Sequence, residues 1–177
     1  VISFVLALAS AFLFTQWQLG LGAVLVYVSS LLDGVDGEIA RLGGKLTGFG
    51  SLLDSLLDRI ADIALMIGLG LVLSPGPLRV GLTGLAVSGV VLVSYISHLS
   101  LQYTDVKGPR GGFPWATRDA RLFLISLGSL AFQPLIPVVF CATAPFVFAA
   151  RSILHARTDF KLRASPTQVQ TTGKKIP

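Results

Sequence analysis

Apolar runs of helical length follow one another along nearly the whole chain, separated by short polar or Gly/Pro breaks. Val1 to Phe14 is the first. Gly20 to Leu32 is the second, and its helical pattern continues to Leu42. Phe49 to Leu73 is stopped by Ser74-Pro75-Gly76-Pro77, and Leu78 to Leu101 is rich in Gly and Val. Arg121 to Phe132 and Pro137 to Leu154 close the series, divided by Gln133-Pro134. Segments of this kind suit a bilayer, where a helix satisfies its backbone polar groups internally. Composition argues against the alternatives. Of the 177 residues, 53% are hydrophobic and 13% charged, against about one quarter charged in soluble domains. A single cysteine, Cys141, leaves no disulfide framework and no cysteine-based zinc site. The expectation is an all-α integral membrane protein of six transmembrane helices. One domain covers residues 1–158, and a polar, fraying tail covers 159–177. The chain begins in mid-run without Met, so the first span reads as truncated. It has no basic n-region or cleavage site of a signal peptide.

The cations set the orientation. If the Leu42 to Thr47 connection is cytoplasmic, so are the 104–119 loop and both termini. All but Arg79 of the 14 Lys and Arg residues then fall on that side, the bias expected of cytoplasmic loops in a cell (plasma) membrane. The net charge of +5 therefore reports topology and anionic substrates, and it gives no support for nucleic-acid binding.

Against this apolar background the acids are clustered. Six of the nine lie between residues 33 and 62. A carboxylate in a membrane costs at least about 2.5 kcal/mol, so the default reading is functional. Asp33, Asp36, Gly37, Ala40 and Arg41 share one helical face, and Gly50, Asp54 and Asp58 share one face of the next helix. Gly43-Gly44-Lys45 makes the turn between them. About residue 45, Asp36 mirrors Asp54 and Asp33 mirrors Asp58. At a helical rise of about 1.5 Å per residue, Asp36 and Asp54 lie within roughly 13 Å of the hairpin tip. Four carboxylates so placed need a cation to stay ionised. Oxygen ligands without His or Cys suit Mg²⁺ or Mn²⁺, ions that commonly hold phosphates. The small residues Gly37, Ala40 and Gly50 leave room for a ligand; packing alone would explain them equally well.

These residues spell D-x2-D-G-x2-A-R-x8-G-x3-D-x3-D, which resembles the signature of the CDP-alcohol phosphotransferases at all nine fixed positions. The resemblance implies transfer of a phospho-alcohol group from a CDP-alcohol to an acceptor hydroxyl, with CMP leaving. It implies that Asp33, Asp36, Asp54 and Asp58 surround a divalent metal, with Asp58 also the general base. It further implies a nucleotide site formed by Asp33, Gly37, Ala40, Arg41, Gly50 and Asp54, and a homodimer.

The acceptor is read from the basic residues beyond the fourth span. Arg118 and Arg121, three apart at the start of a helix, with Lys107, Arg110 and Arg151, suggest an acceptor that is itself phosphorylated. The strings LLDGVDGEIARL and ATRDARLFLI resemble the di-myo-inositol-phosphate-phosphate synthase branch of the family. That branch implies CDP-inositol as donor, inositol 1-phosphate as acceptor, and a fused or separate cytidylyltransferase domain. The runner-up is a phospholipid synthase using CDP-diacylglycerol and inositol phosphate or glycerol phosphate. A remote alternative is an ion-coupled transporter, since intramembrane acids also line ion pathways. Asp62 extends the i+4 series beyond Asp58 and reads as a structural partner of Arg59 or another cation. Glu38 lies off the Asp33/Asp36 face, and His98 reads as structural.

Overall fold

The computed structural model describes residues 2–43, 48–103 and 117–164. All regular structure in it is helical: α1 (Ile2–Thr15), α2 (Leu19–Leu42), α3 (Gly48–Val72), α4 (Pro77–Tyr103), α5 (Arg118–Leu130) and α6 (Leu135–Ala164). Each expected apolar segment is one helix. The last continues to Ala164, past the Leu154 and Thr158 limits that its apolar content suggested.

Local chemistry sets the ends. Pro77 opens α4, where a missing N–H is harmless. Thr117 caps α5 by accepting from the Ala120 N–H at 3.4 Å, and Asp119 adds a favourable charge in its first turn. At the other end of α5 the Gln133 N–H donates to the Gly128 carbonyl, and that of Phe132 to the Ser129 carbonyl. Phe132 is at φ 57°. This paired pattern with a left-handed residue stops the helix just before Pro134. Trp17, at φ 62°, closes α1 in the same way, with the Gln18 N–H on the Leu13 carbonyl.

Three helices contain apolar stretches long enough to cross a bilayer: Leu19–Ile39, Pro77–Ile96 and Leu135–Leu154. The expectation of six spans is not matched by length and composition. Helices α1 and α5 have 14 and 13 residues, short of the roughly 20 that a span needs. Helix α3 has the length but carries Asp54, Asp58, Arg59 and Asp62 within its first 15 residues.

Packing runs α1 on α2 and α3, α5 on α2 and α6, and α4 on α3 and α6. The core centres on Phe14, Val26, Leu65, Met66, Leu69, Val138 and Cys141, all buried. Small residues and serines bring the backbones close, as apolar helices in lipid require. A Cβ on Gly68 would lie 2.6 Å from the Ala11 carbonyl oxygen, so α1 crosses α3 there only because Gly68 has no side chain. Gly89 of α4 faces the Cys141 carbonyl of α6 in the same manner. That carbonyl is four residues before Pro145, which has no N–H to donate to it. Ser10 donates to the Gly22 carbonyl at 2.6 Å, Ser29 to the Ser3 carbonyl at 2.7 Å, and Ser126 to the Ala23 carbonyl at 2.9 Å. These bonds fix α1 and α5 along α2. Among the described residues α2 and α3, though consecutive, are not a closely packed pair, whereas α1 packs on both.

Candidate active site

One end of the bundle gathers the start of α1, the second half of α2, the first 15 residues of α3 and the first turn of α5. Asp33 is brought there by α2, and Asp54 and Asp58 by α3, one turn apart. A carboxylate oxygen from each of the three lies within 4.8 Å of the others. The Ser3 hydroxyl donates to Asp33 Oδ1 at 3.2 Å. That bond, with Ser29 holding the Ser3 carbonyl, ties the register of α1 to the acid of α2.

Arg118, the first residue of α5, enters this group. Its Nη1 lies 2.7 Å from Asp33 Oδ2 and 3.0 Å from Asp58 Oδ1. Its Nε lies 3.3 Å from Asp62 Oδ1. One guanidinium therefore bridges α2 and α3, and its side chain is 15% exposed. Behind it Asp62, 4% exposed, also accepts from Arg121 Nη2 at 3.1 Å and from Arg59 Nη1 at 3.3 Å. A carboxylate this buried would be very costly alone; three guanidinium groups offset it.

The mirrored hairpin is met in part. Asp33 and Asp58 do sit opposite each other, since one nitrogen touches both. Asp54 joins them. Asp36, expected beside Asp54, does not join the group: it is exposed on α2 one turn nearer the hairpin tip. Gly37 is half-buried on α2, and Gly50 is exposed in the first turn of α3. Ala40 and Arg41 fall within α2, but their side chains lie outside the described residues, as do Lys107, Arg110 and the side chain of His98. Of the cations expected at the mouth, Arg151 is exposed on α6. Arg121 is instead 4% exposed, because it faces inward onto Asp62.

The web around Asp62 was only partly foreseen, through its pairing with Arg59. Two signals pointed to the rest. Asp54, Asp58 and Asp62 form an unbroken i+4 series, and Arg118 and Arg121 form an i+3 pair. Two such stripes of opposite charge in apolar helices satisfy each other best by meeting.

The donor set is three carboxylates without His or Cys, which fits a hard divalent cation. An octahedral Mg²⁺ shell is about 4.2 Å across, so oxygens within 4.8 Å of one another need little movement to share an ion.

A family model described as CDP-alcohol phosphatidyltransferase matches residues 1–150. The chain belongs to this family. It is divalent-metal dependent, in keeping with the acidic cluster, and it makes the chain an integral membrane protein together with the three long apolar helices. Among its relatives within the family is a bifunctional IPC transferase and DIPP synthase of Aquifex aeolicus, 35% identical over 133 residues, which are 72% of this chain and 30% of that protein. An archaetidylinositol phosphate synthase of Pyrococcus horikoshii is 34% identical over 95 residues, 54% of this chain and 49% of that protein. A phosphatidylinositol phosphate synthase of Mycolicibacterium smegmatis is 31% identical over 144 residues, 80% of this chain and 64% of that protein. The chain thus spans about a third of the length of the bifunctional relative.

Proposed function

We propose that the chain is a membrane transferase domain that moves a phospho-alcohol group from a CDP-alcohol to an acceptor hydroxyl and releases CMP. The observation that carries this reading is the meeting of Asp33 with Asp54 and Asp58 across two helices, at signature positions of the family. In the proposed reaction Asp58 takes the proton of the acceptor hydroxyl. The acceptor oxygen then bonds to the phosphorus that bears the donor alcohol. The bond from that phosphorus to the bridging oxygen breaks, and CMP leaves with the bridge electrons. Asp33, Asp54 and Asp58, with Asp36 at the rim, would hold a divalent ion, which would supply positive charge for the diphosphate and the leaving group. Gly37, Ala40, Arg41 and Gly50 shape the nucleotide side. Arg118 takes the phosphate of the acceptor with Lys107, Arg110 and Arg151, and Arg121 supports it from behind. Six helices associated with the bilayer, both termini and the site on the cytoplasmic side of the plasma membrane, and a homodimer complete the proposal.

Inositol phosphates are the favoured chemistry, with CDP-inositol as donor and inositol 1-phosphate as acceptor. The relative in Aquifex aeolicus, a bifunctional IPC transferase and DIPP synthase, supports a DIPP product. The second reading, a lipid product from CDP-diacylglycerol, is supported by the phosphatidylinositol phosphate synthase that aligns over 80% of this chain. A donor panel decides between them. Purified protein with Mg²⁺ receives CDP-inositol or CDP-diacylglycerol, and inositol phosphate, glycerol phosphate or serine. CMP from CDP-inositol alone supports the first reading, and CMP from CDP-diacylglycerol alone the second. No CMP with any donor, together with cation flux in proteoliposomes, would replace both with a transporter.

A further inference from the structure

Asp62 is not part of the nine-position signature, yet among the described residues it accepts from more partners than any acid within it. It receives Arg118 Nε, Arg121 Nη2 and Arg59 Nη1 at 3.1 to 3.3 Å. Both of its oxygens are used: Oδ1 by Arg118 and Oδ2 by the other two. Arg121 and Arg59 hold the carboxylate in place, and the carboxylate fixes the inner end of the Arg118 fork. The outer nitrogen, Nη1, then falls between Asp33 and Asp58. Among the described residues no contact engages Nη2 of Arg118. A guanidinium is planar with five fixed donors, so fixing two nitrogens fixes the third.

We propose that Asp62 is a positioning residue: it orients Arg118 so that Nη2 takes an acceptor phosphate while Nη1 touches Asp58. The phosphate and the proton-accepting carboxylate are then held by one rigid group. That group sets the distance at which the acceptor hydroxyl meets Asp58. This rests on the transferase reading for the role of Asp58, and the phosphate contact itself can be tested without turnover.

The experiment uses the full chain in detergent and measures binding of inositol 1-phosphate by calorimetry, with inositol as the control lacking phosphate. Asp62→Asn keeps the size of the side chain but removes its charge and turns an N–H₂ toward the guanidinium groups. It is expected to weaken inositol 1-phosphate binding by about tenfold, and to lower kcat/KM for that acceptor by roughly 10- to 100-fold, the range for a misplaced reacting group. The KM for the CDP-alcohol is expected to be unchanged. In an Arg118→Ala background, Asp62→Asn is expected to add less than about twofold, because residues acting through one another are not additive. Independent, multiplying losses would overturn the proposal, as would an equal rise in both KM values. Arg118→Lys leaves Asp62, Arg121 and Arg59 in place, so it carries the test if Asp62→Asn does not fold. Lysine keeps the charge without the fork and is expected to lose as much as alanine. Acceptor affinity within twofold of wild type in that variant would overturn the proposal. Wild-type binding without CMP release from any donor sinks the transferase reading and leaves the phosphate contact standing. No wild-type binding of inositol 1-phosphate sinks the proposal itself.

Discussion

Asp58 and Asp62 are one turn apart on α3, yet their surroundings differ, and so do the tasks proposed for them. Asp58 shares one nitrogen of Arg118 with Asp33 and keeps company with Asp54. Asp62 is 4% exposed and is closed in by three guanidinium groups. Replacing Asp58 by Asn is therefore expected to leave the fold intact and to remove CMP release by at least about 100-fold, the lower range for loss of a general base. Near-normal turnover with a normal unfolding temperature would refute that role. In the proposed reaction Asp33 and Asp54 act through charge. Chelation with EDTA is expected to abolish CMP release, and added Mg²⁺ to restore it. Asp54→Asn should move the Mg²⁺ dependence to higher concentration, read directly from a titration. An unshifted titration would remove Asp54 from the ion. Much of this residue scale was legible beforehand. Helical periodicity put Asp33 opposite Asp58 without any coordinates. Spacing alone could not show that Arg121 faces inward, because an i+3 pair can present either residue to the mouth.

At the scale of elements, the site depends on close crossings some distance away. Helix α1 carries Ser3 to Asp33, and its path is set where Ala11 meets Gly68. Gly68→Val would force α1 off α3 and is expected to lower stability by about 1–3 kcal/mol, the range for overpacking. Gly20→Ala is the matched control. A Cβ at Gly20 meets nothing within 4 Å, and alanine in a helix gains about 0.5–1 kcal/mol over glycine. Thermal unfolding in one detergent compares the two; equal shifts would show that the crossing does not matter. The helices themselves were readable from apolar runs bounded by Gly and Pro. Their partners were not. The turn about residue 45 suggested that α2 and α3 pack as a hairpin, whereas α1 is the helix that packs on both. The serine bonds to the carbonyls of Ser3, Gly22 and Ala23 that fix this arrangement have no sequence signature beyond a small polar residue in an apolar run.

For the whole molecule, charge is sorted to one end. The cluster of Asp33, Asp54 and Asp58, the three arginines and the Leu42 end of α2 lie together, while the turn at Ser74 is at the opposite end of α3. The proposed orientation puts the first end in the cytoplasm. Cys141 is the sole cysteine and is buried, so Cys141→Ala gives a clean background in which Leu42→Cys or Ser74→Cys is the one thiol. Both positions are exposed. An impermeant maleimide added to intact cells is expected to label Ser74→Cys and to spare Leu42→Cys until the membrane is opened. The reverse pattern would invert the topology.

Arg118 stands 85 residues after Asp33 and 56 after Asp62 along the chain. Synthesis runs from the N-terminus, so the ribosome delivers every carboxylate of the cluster before it makes two of the three guanidinium groups that neutralise Asp62. Until α5 emerges, Asp62 has Arg59 as its cationic partner among the described residues. The order of the chain thus makes the neutralisation of Asp62 a late event in synthesis. Docking of α5 brings Arg118 and Arg121 to Asp62, and a chain halted before residue 117 lacks both of these partners.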